Sequence, residues 1–305
     1  MIKRHLGGAA VIFAFLLAHC AQAQDFKGNI YIGQISPLSG PAASIGVPLT
    51  QGAAVMVRKV NSKGGVGGSR LVLLDKDDGF LAKRTMEGAQ DLLANKSKPI
   101  VALLNVVGSP NSGDLISNDV LKGHDLSLVG AFTGSTSVRA MKSPNVYFVR
   151  AGVAGEAERI VNHFVTLGID RIALLHPEDT FGRDALEQMR IALAARKLEL
   201  TAVGTYLPAT TEMDKAVRTI LDKKPQAVAI FATGAAAAKF IAAFRSTGSA
   251  GDSVMLTTSS STSADYLISK LPLQQVRGVG VLQAVLPLSK SEVPIVKARS
   301  VLRLV

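Results

Sequence analysis

Side chains able to hold a small polar solute recur in this chain at the carboxyl ends of apolar runs, each followed by a helical or turn pattern. The first group is Asn105-Val106-Val107-Gly108-Ser109-Pro110-Asn111-Ser112, after the run Ile100 to Leu104. The second is Gly130-Ala131-Phe132-Thr133-Gly134-Ser135, at the end of the run that begins at Leu126. A helix N-terminus presents unpaired N–H groups and a partial positive charge, which suit a carboxylate. Ser109, Asn111 and Ser135 would equally serve as plain N-caps with no ligand. Two such loops on adjacent strands favour an anion or carboxylate subsite, with Gly108, Ser109, Thr133 and Gly134 as candidates.

A further set lies later in the chain. His176-Pro177-Glu178-Asp179-Thr180-Phe181-Gly182 closes a strand pattern and opens a helix. Phe181 offers an apolar or aromatic wall, and Asp179 or Glu178 a partner for a cationic group, although Asp179 could instead cap the helix starting near Gly182. Tyr206, Thr233-Gly234 and Thr257-Thr258-Ser259-Ser260-Ser261 end further strands, which adds Thr233, Thr258 and Ser259 to the candidates.

Other chemistries lack their residues. The cluster Gly64-Gly65-Val66-Gly67-Gly68 follows a helix and precedes a strand, the reverse of a dinucleotide fingerprint, so it reads as a helix cap and turn. There is no Gly-Lys-Ser/Thr phosphate loop and no Gly-x-Ser-x-Gly elbow. His163 falls within a helix as a surface or partly packed residue, whereas His176, at a strand end, could touch a ligand. His5, His19 and the lone Cys20 lie in the leader, so no metal site and no cofactor is expected.

The elements that must position these groups alternate along the chain. A strand through Ile30, Ile32 and Ile35 enters the loop Pro37-Leu38-Ser39-Gly40-Pro41, and a helix runs from about Pro48 to Asn61 into a strand Leu71 to Leu74. Strands follow at Ile100 to Leu104, Leu126 to Ala131, Val146 to Val149, Arg171 to Leu175, Glu199 to Gly204, Ala227 to Phe231, Val254 to Thr257 and Val276 to Leu282. Helices are expected at Pro110 to Val120, Glu156 to Leu167, Gly182 to Arg196, Met213 to Asp222 and Ala235 to Ser246. The pattern predicts an α/β fold of parallel sheets covered by helices, with too many elements for one doubly wound sheet. Two lobes are therefore expected, with crossovers near Tyr147 to Arg150 and Val276 to Val281 and a solute trapped between facing strand ends.

Lys3-Arg4, the apolar run Leu6 to Ala18 and Ala21-Gln22-Ala23 have the order of a secretory signal peptide, with cleavage expected after Ala23. The apolar run is shorter than the roughly 20 residues of a membrane span. Lipidation at Cys20 is disfavoured because His19 is too bulky for lipoprotein processing. Removal of the leader leaves about 280 residues, enough for two domains of ordinary size. The formal net charge is +11, two units of which leave with Lys3 and Arg4. Lys215, Arg218, Lys223 and Lys224 lie along helical faces as solvating charge, and no basic run interleaved with aromatics suggests nucleic acid as a partner.

Taken in order, ISPLSGPAASIG, NSKGGVGG with LVLLDKDD, VALLNVVGSPNS, VGAFTGST, YFVRAG, LLHPEDTFGRDAL and FRSTG resemble the solute-binding proteins of ABC importers in the leucine/isoleucine/valine-binding group. The resemblance implies a type I periplasmic binding protein fold, two doubly wound parallel-sheet lobes joined by a hinge. Its divisions would be a signal peptide at 1–23, an N-terminal lobe at 24–147, a second lobe at 148–277 and a return segment at 278–305. It implies a non-enzymatic, monomeric protein of the periplasm that binds a small-molecule solute and serves an inner-membrane ABC permease. A sensory subunit of the same fold and a secreted α/β hydrolase are the alternatives.

By the same resemblance, Ser109, Ala131 and Thr133 grip a carboxylate and Phe181 replaces the usual tyrosine of the second lobe. Two features depart from the family. Thr257 to Ser260 stands where an acidic residue would meet a ligand ammonium, and Thr233-Gly234-Ala235 stands where an aromatic would. The expected ligand is therefore a carboxylate, amide or aromatic acid rather than an ordinary α-amino acid, unless Glu178 or Asp179 substitutes. The chain also stops at Val305, in what reads as the helix after the second crossover, where family members continue.

Overall fold

A computed structural model describes residues 26–118 and 120–284. The expected signal peptide and the return segment beyond residue 284 lie outside the described residues. Two α/β halves follow one another. The first runs β1 (Asn29–Ser36), α1 (Ala43–Asn61), β2 (Arg70–Asp77), α2 (Ala82–Ala94), β3 (Ile100–Leu104), α3 (Ser109–Ser117), β4 (Ser127–Val129), α4 (Thr136–Ala140) and β5 (Val146–Tyr147). The second begins with α5 (Val153–Thr166), β6 (Ile172–Pro177), α6 (Thr180–Ala194), β7 (Leu200–Tyr206), α7 (Asp214–Leu221) and β8 (Ala227–Ile230). It continues through α8 (Gly234–Arg245), α9 (Ser249–Asp252), β9 (Met255–Thr258), α10 (Ala264–Lys270), α11 (Leu273–Val276) and β10 (Gly280–Val281).

The first sheet has the order β2-β1-β3-β4-β5 and the second β10-β9-β8-β6-β7, and their strand pairings are parallel. Read from its other edge the second sheet is β7-β6-β8-β9-β10, the same winding as the first. In each sheet the order reverses beside one strand, β1 or β6, and open α/β sheets leave a crevice there at the carboxyl ends. Both lobes use one packing device at that point. A Cβ on Gly46 in α1 would lie 2.1 Å from the Pro37 carbonyl oxygen, and one on Gly182 in α6 would lie 1.7 Å from that of Pro177. Only glycine lets these helices start so close to the strand ends.

The expected α/β lobes are present, and most elements fall within a few residues of their predicted places. The differences have local causes. α1 starts at Ala43 and carries Pro48 inside it, because the first turn is set by the contact of Gly46 with Pro37 and not by the proline. α2 has no counterpart among the predicted helices, since its buried face is Thr85, Gly88, Ala89 and Leu92, too small and polar to show as an apolar stripe. Val276 ends a helix, not a strand, and Gly280–Val281 pairs with Thr257–Thr258. That pairing extends the second sheet past the boundary expected at residue 277. The glycine cluster is the turn expected: the Gly65 N–H donates to the Val60 carbonyl at the end of α1, and Val66 pairs with Ser69.

Candidate functional site

The carboxyl ends of the two sheets face each other across a cleft enclosing about 570 Å³ of space, part of it open to solvent. The first lobe contributes Pro41, Ile45, Phe80, Val107, Gly108, Ser109, Phe132, Thr133 and Gly134. Arg150 enters from the crossover between the lobes. The second lobe contributes Pro177, Asp179, Phe181, Tyr206, Pro208, Ala209, Thr233 and Ser261.

The Ser109 and Thr133 hydroxyls meet at 2.7 Å, and each residue is only 2% exposed. The Ser135 N–H donates to Thr133 Oγ1 at 3.1 Å. Ser109 is the first residue of α3, whose N-cap is Gly108 with no side-chain bond, so its hydroxyl does not cap that helix. Asn111 does not cap it either, because its amide donates to Thr85 Oγ1 and to Asp78. Of the three capping candidates only Ser135 caps, accepting from the Val138 N–H at the start of α4. Gly108 itself needs to be glycine: its φ is +113°, and a Cβ would lie 2.3 Å from Asn111 Oδ1.

The loop after β1 is held from behind. Asp77 accepts from Ser39 Oγ and from the N–H groups of Leu38, Ser39 and Gly79. Burial alone would raise this carboxyl, but the four hydrogen bonds outweigh it and hold its pKa at about 2. Ser39 and Gly40 thus serve the loop, while Pro41 and Ile45 reach the cleft.

On the opposite wall Asp179 accepts from the Gly182 N–H at 2.8 Å and caps α6, so the capping role weighed for it is real although it also lines the cleft. Burial raises its pKa above the usual carboxylate value. Phe181 lines the cleft with its ring tilted against Phe231, centroids 6.2 Å apart. Burial also pushes the Tyr206 hydroxyl up, with the nearby Asp179 adding to the effect, and the Thr233 backbone N–H donates to it.

Ala131, Thr258 and Ser259 do not line the cleft. Ala131 is fully buried in the first-lobe core. Thr258 and Ser259 are fully buried where β9 ends, and the Ser259 N–H continues the sheet by donating to the Ile230 carbonyl, so Ser261 is the residue of that loop which reaches the cleft. His176 is also turned away, with Nδ1 2.8 Å from the Pro177 carbonyl oxygen, and its pKa is lowered by burial. Glu178 accepts from Thr205 Oγ1 and is not part of the lining. His163 is exposed.

Sequence reasoning missed Arg150. Its side chain is 4% exposed and pairs with Glu156, 3% exposed, at 2.5 Å. It also donates to Ser260 Oγ and, more loosely at 3.4 Å, to Ser261 Oγ, while its guanidinium lies over the Phe132 ring at 4.5 Å. Its Nε is buried with no hydrogen-bond partner. A cation in the hydrophobic stretch Val146 to Val149 and beyond was the available signal. The lobes are tied together a second time by Asp184 of α6, which accepts from Ser135 Oγ and from the N–H and Oγ of Ser137. Among the described residues no cluster of His, Cys, Asp and Glu is arranged to hold a metal ion, and no helix is long and apolar enough to cross a membrane.

Two parallel sheets wound in the same order, with a cleft between their carboxyl ends, define a two-lobe α/β binding-protein fold. The model of the periplasmic binding protein family matches residues 29–295, and the chain belongs to that family, in its type I, Leu/Ile/Val-binding group. A substrate-binding periplasmic protein from Ralstonia solanacearum is 31% identical, with a TM-score of 0.83 over 90% of this chain and 76% of that one. Leu/Ile/Val-binding protein homolog 3 of Brucella melitensis is 26% identical over 188 residues, 61% of this chain and 48% of the relative. The chain spans about half the length of the curated relatives it matches. A solute-binding protein of an ABC transporter from R. palustris, solved with 4-hydroxybenzoate, shares the fold at 18% identity and a TM-score of 0.76 over 90% of this chain and 72% of that one.

Proposed function

We propose that this chain is the solute-binding component of an ABC importer. In this reading it is exported with residues 1–23 removed, closes on a small carboxylate-bearing solute, and presents the closed form to an inner-membrane permease. The observation that carries the reading is the buried Ser109–Thr133 hydroxyl pair, which lines the cleft and caps no helix. When their mutual bond opens, two hydroxyls facing a sheltered cleft from adjacent strand ends can donate to both oxygens of one carboxylate. Gly108 and Gly134 allow close approach to backbone on the first-lobe side, and Phe181, Thr233 and Asp179 line the second-lobe side.

The solute carries no ammonium in this reading. Asp179 is engaged by the Gly182 N–H and its burial disfavours the charged form, while Glu178 is turned out of the cleft. A buried ammonium without a carboxylate partner costs several kcal/mol, on the order of that for any unpaired buried charge. The fold of the R. palustris protein accommodates an acid of this kind. A thermal-shift screen against amino acids, amides and acids tests the reading, because a ligand of the native state raises the melting temperature. Stabilisation by acids alone supports it, and tight, saturable leucine or valine binding refutes the absence of an ammonium.

A further inference from the structure

We infer that the solute is a ring-bearing monocarboxylate, an arene or alicyclic acid, held by its carboxylate at Ser109 and Thr133 with its ring among aromatic side chains. This rests on the reading of the cleft as a carboxylate site. Three rings surround the hydroxyl pair. Phe80 packs against Gly108, where a Cβ would lie 3.1 Å from its Cε2, and Phe181 packs against Gly134, where a Cβ would lie 3.6 Å from its Cε2. Phe132 precedes Thr133 in the chain and lines the same cleft. The first atoms of any solute beyond its carboxylate therefore meet ring edges and faces, and flat apolar groups gain most from such walls.

A cation next to the carboxylate is disfavoured by charge already in place. The Arg150 guanidinium occupies one face of Phe132 at 4.5 Å, so an ammonium seeking that ring would meet a like charge in a partly enclosed site. The same guanidinium reaches the cleft-lining Ser261 only through a loose 3.4 Å bond, so that donor is free to take an oxygen of the solute. Beyond the rings, the Tyr206 hydroxyl accepts from the Thr233 N–H and keeps its own proton to donate.

The test is calorimetric titration of the purified full chain with benzoate, cyclohexanecarboxylate, isovalerate, benzamide and leucine. Benzoate or cyclohexanecarboxylate is expected to bind at least tenfold tighter than isovalerate and leucine, and at least tenfold tighter than benzamide. Phe181→Leu, checked for native circular dichroism, should weaken the ring acids severalfold and leave isovalerate unchanged. Should isovalerate bind tighter than both ring acids, the ring inference falls while the carboxylate site stands. Should leucine bind tightest, the ring inference and the absence of an ammonium fall together. Benzamide binding as well as benzoate, or no binding of any probe to a folded protein, overturns the carboxylate site and the inference with it.

Discussion

The two lobes are wound in the same order yet are held together differently. In the second, β6 and β8 are buried along their whole length, and Phe231, Phe240 and Phe244 are fully enclosed. In the first, β1 is only buried towards its carboxyl end, and β2 has no fully buried position. The first lobe compensates with polar contacts at its strand ends. Asn105 donates to Gln34, Gln34 donates to Asp75, and Ser36 donates to the Asn105 carbonyl. Asp77 ties down the loop after β1, and Asp78 gathers Thr85 and Asn111. The lobe bearing the hydroxyl pair thus owes its shape at the cleft to directional hydrogen bonds, and the lobe bearing Phe181 owes its shape to packing.

This contrast sets the order of expected effects. Phe240→Ala in the second lobe should cost about 3–5 kcal/mol in denaturant unfolding, against about 1 kcal/mol for the half-buried Leu73→Ala in β2. Equal costs would erase the distinction. Arg150→Ala strands the Glu156 charge at the junction and should cost about 3 kcal/mol, whereas replacing both by Arg150→Met and Glu156→Leu should recover most of that. A double variant as unstable as the single one would show that the pair is not the source of the loss. Amide exchange should protect β6 and β8 more than β1 and β2, since buried strands open only in larger unfolding events. Slower exchange in β2 than in β8 would reverse the assignment.

The smallest effect is the pH dependence that Asp77 gives the first lobe. The folded pKa of Asp77 is about 2 against an ordinary 3.8, so its ionised form stabilises the fold above pH 3.8 and that contribution is lost as pH falls from 3.8 towards about 2. Asp78 works in the opposite sense, because burial raises its pKa and acidification through that higher range favours the fold. Asp77→Asn should therefore flatten the acid limb of a stability curve below pH 3.8 only. An unchanged acid limb would remove Asp77 from the account.

The strands were legible because Ile100–Leu104 and Ala227–Ile230 are unbroken apolar runs, the second of them buried along its whole length as a parallel strand covered on both faces is. α2 was not, because small and polar residues face its core. The hydroxyl pair was readable from strand-end position, but local spacing could not decide which side chain of a loop turns inward. That is why Ala131, Thr258 and Ser259 are buried outside the cleft lining while Phe132 and Ser261 reach it. Arg150 was hidden for another reason. Its partners Glu156, Ser260 and Phe132 come from three separate segments that only the folded junction brings together.

The measurement closest to the central claim is paired affinity and melting of Ser109→Ala. If Thr133 and Ser109 hold the solute's carboxylate, affinity for the acid found to bind should fall at least tenfold while the melting temperature of the free protein stays within about 1–2 °C, because the change leaves the Ser135 N–H its acceptor on Thr133 and removes no core packing. A matching loss of stability, or undiminished affinity, would show that the hydroxyl pair belongs to the scaffold and not to the site.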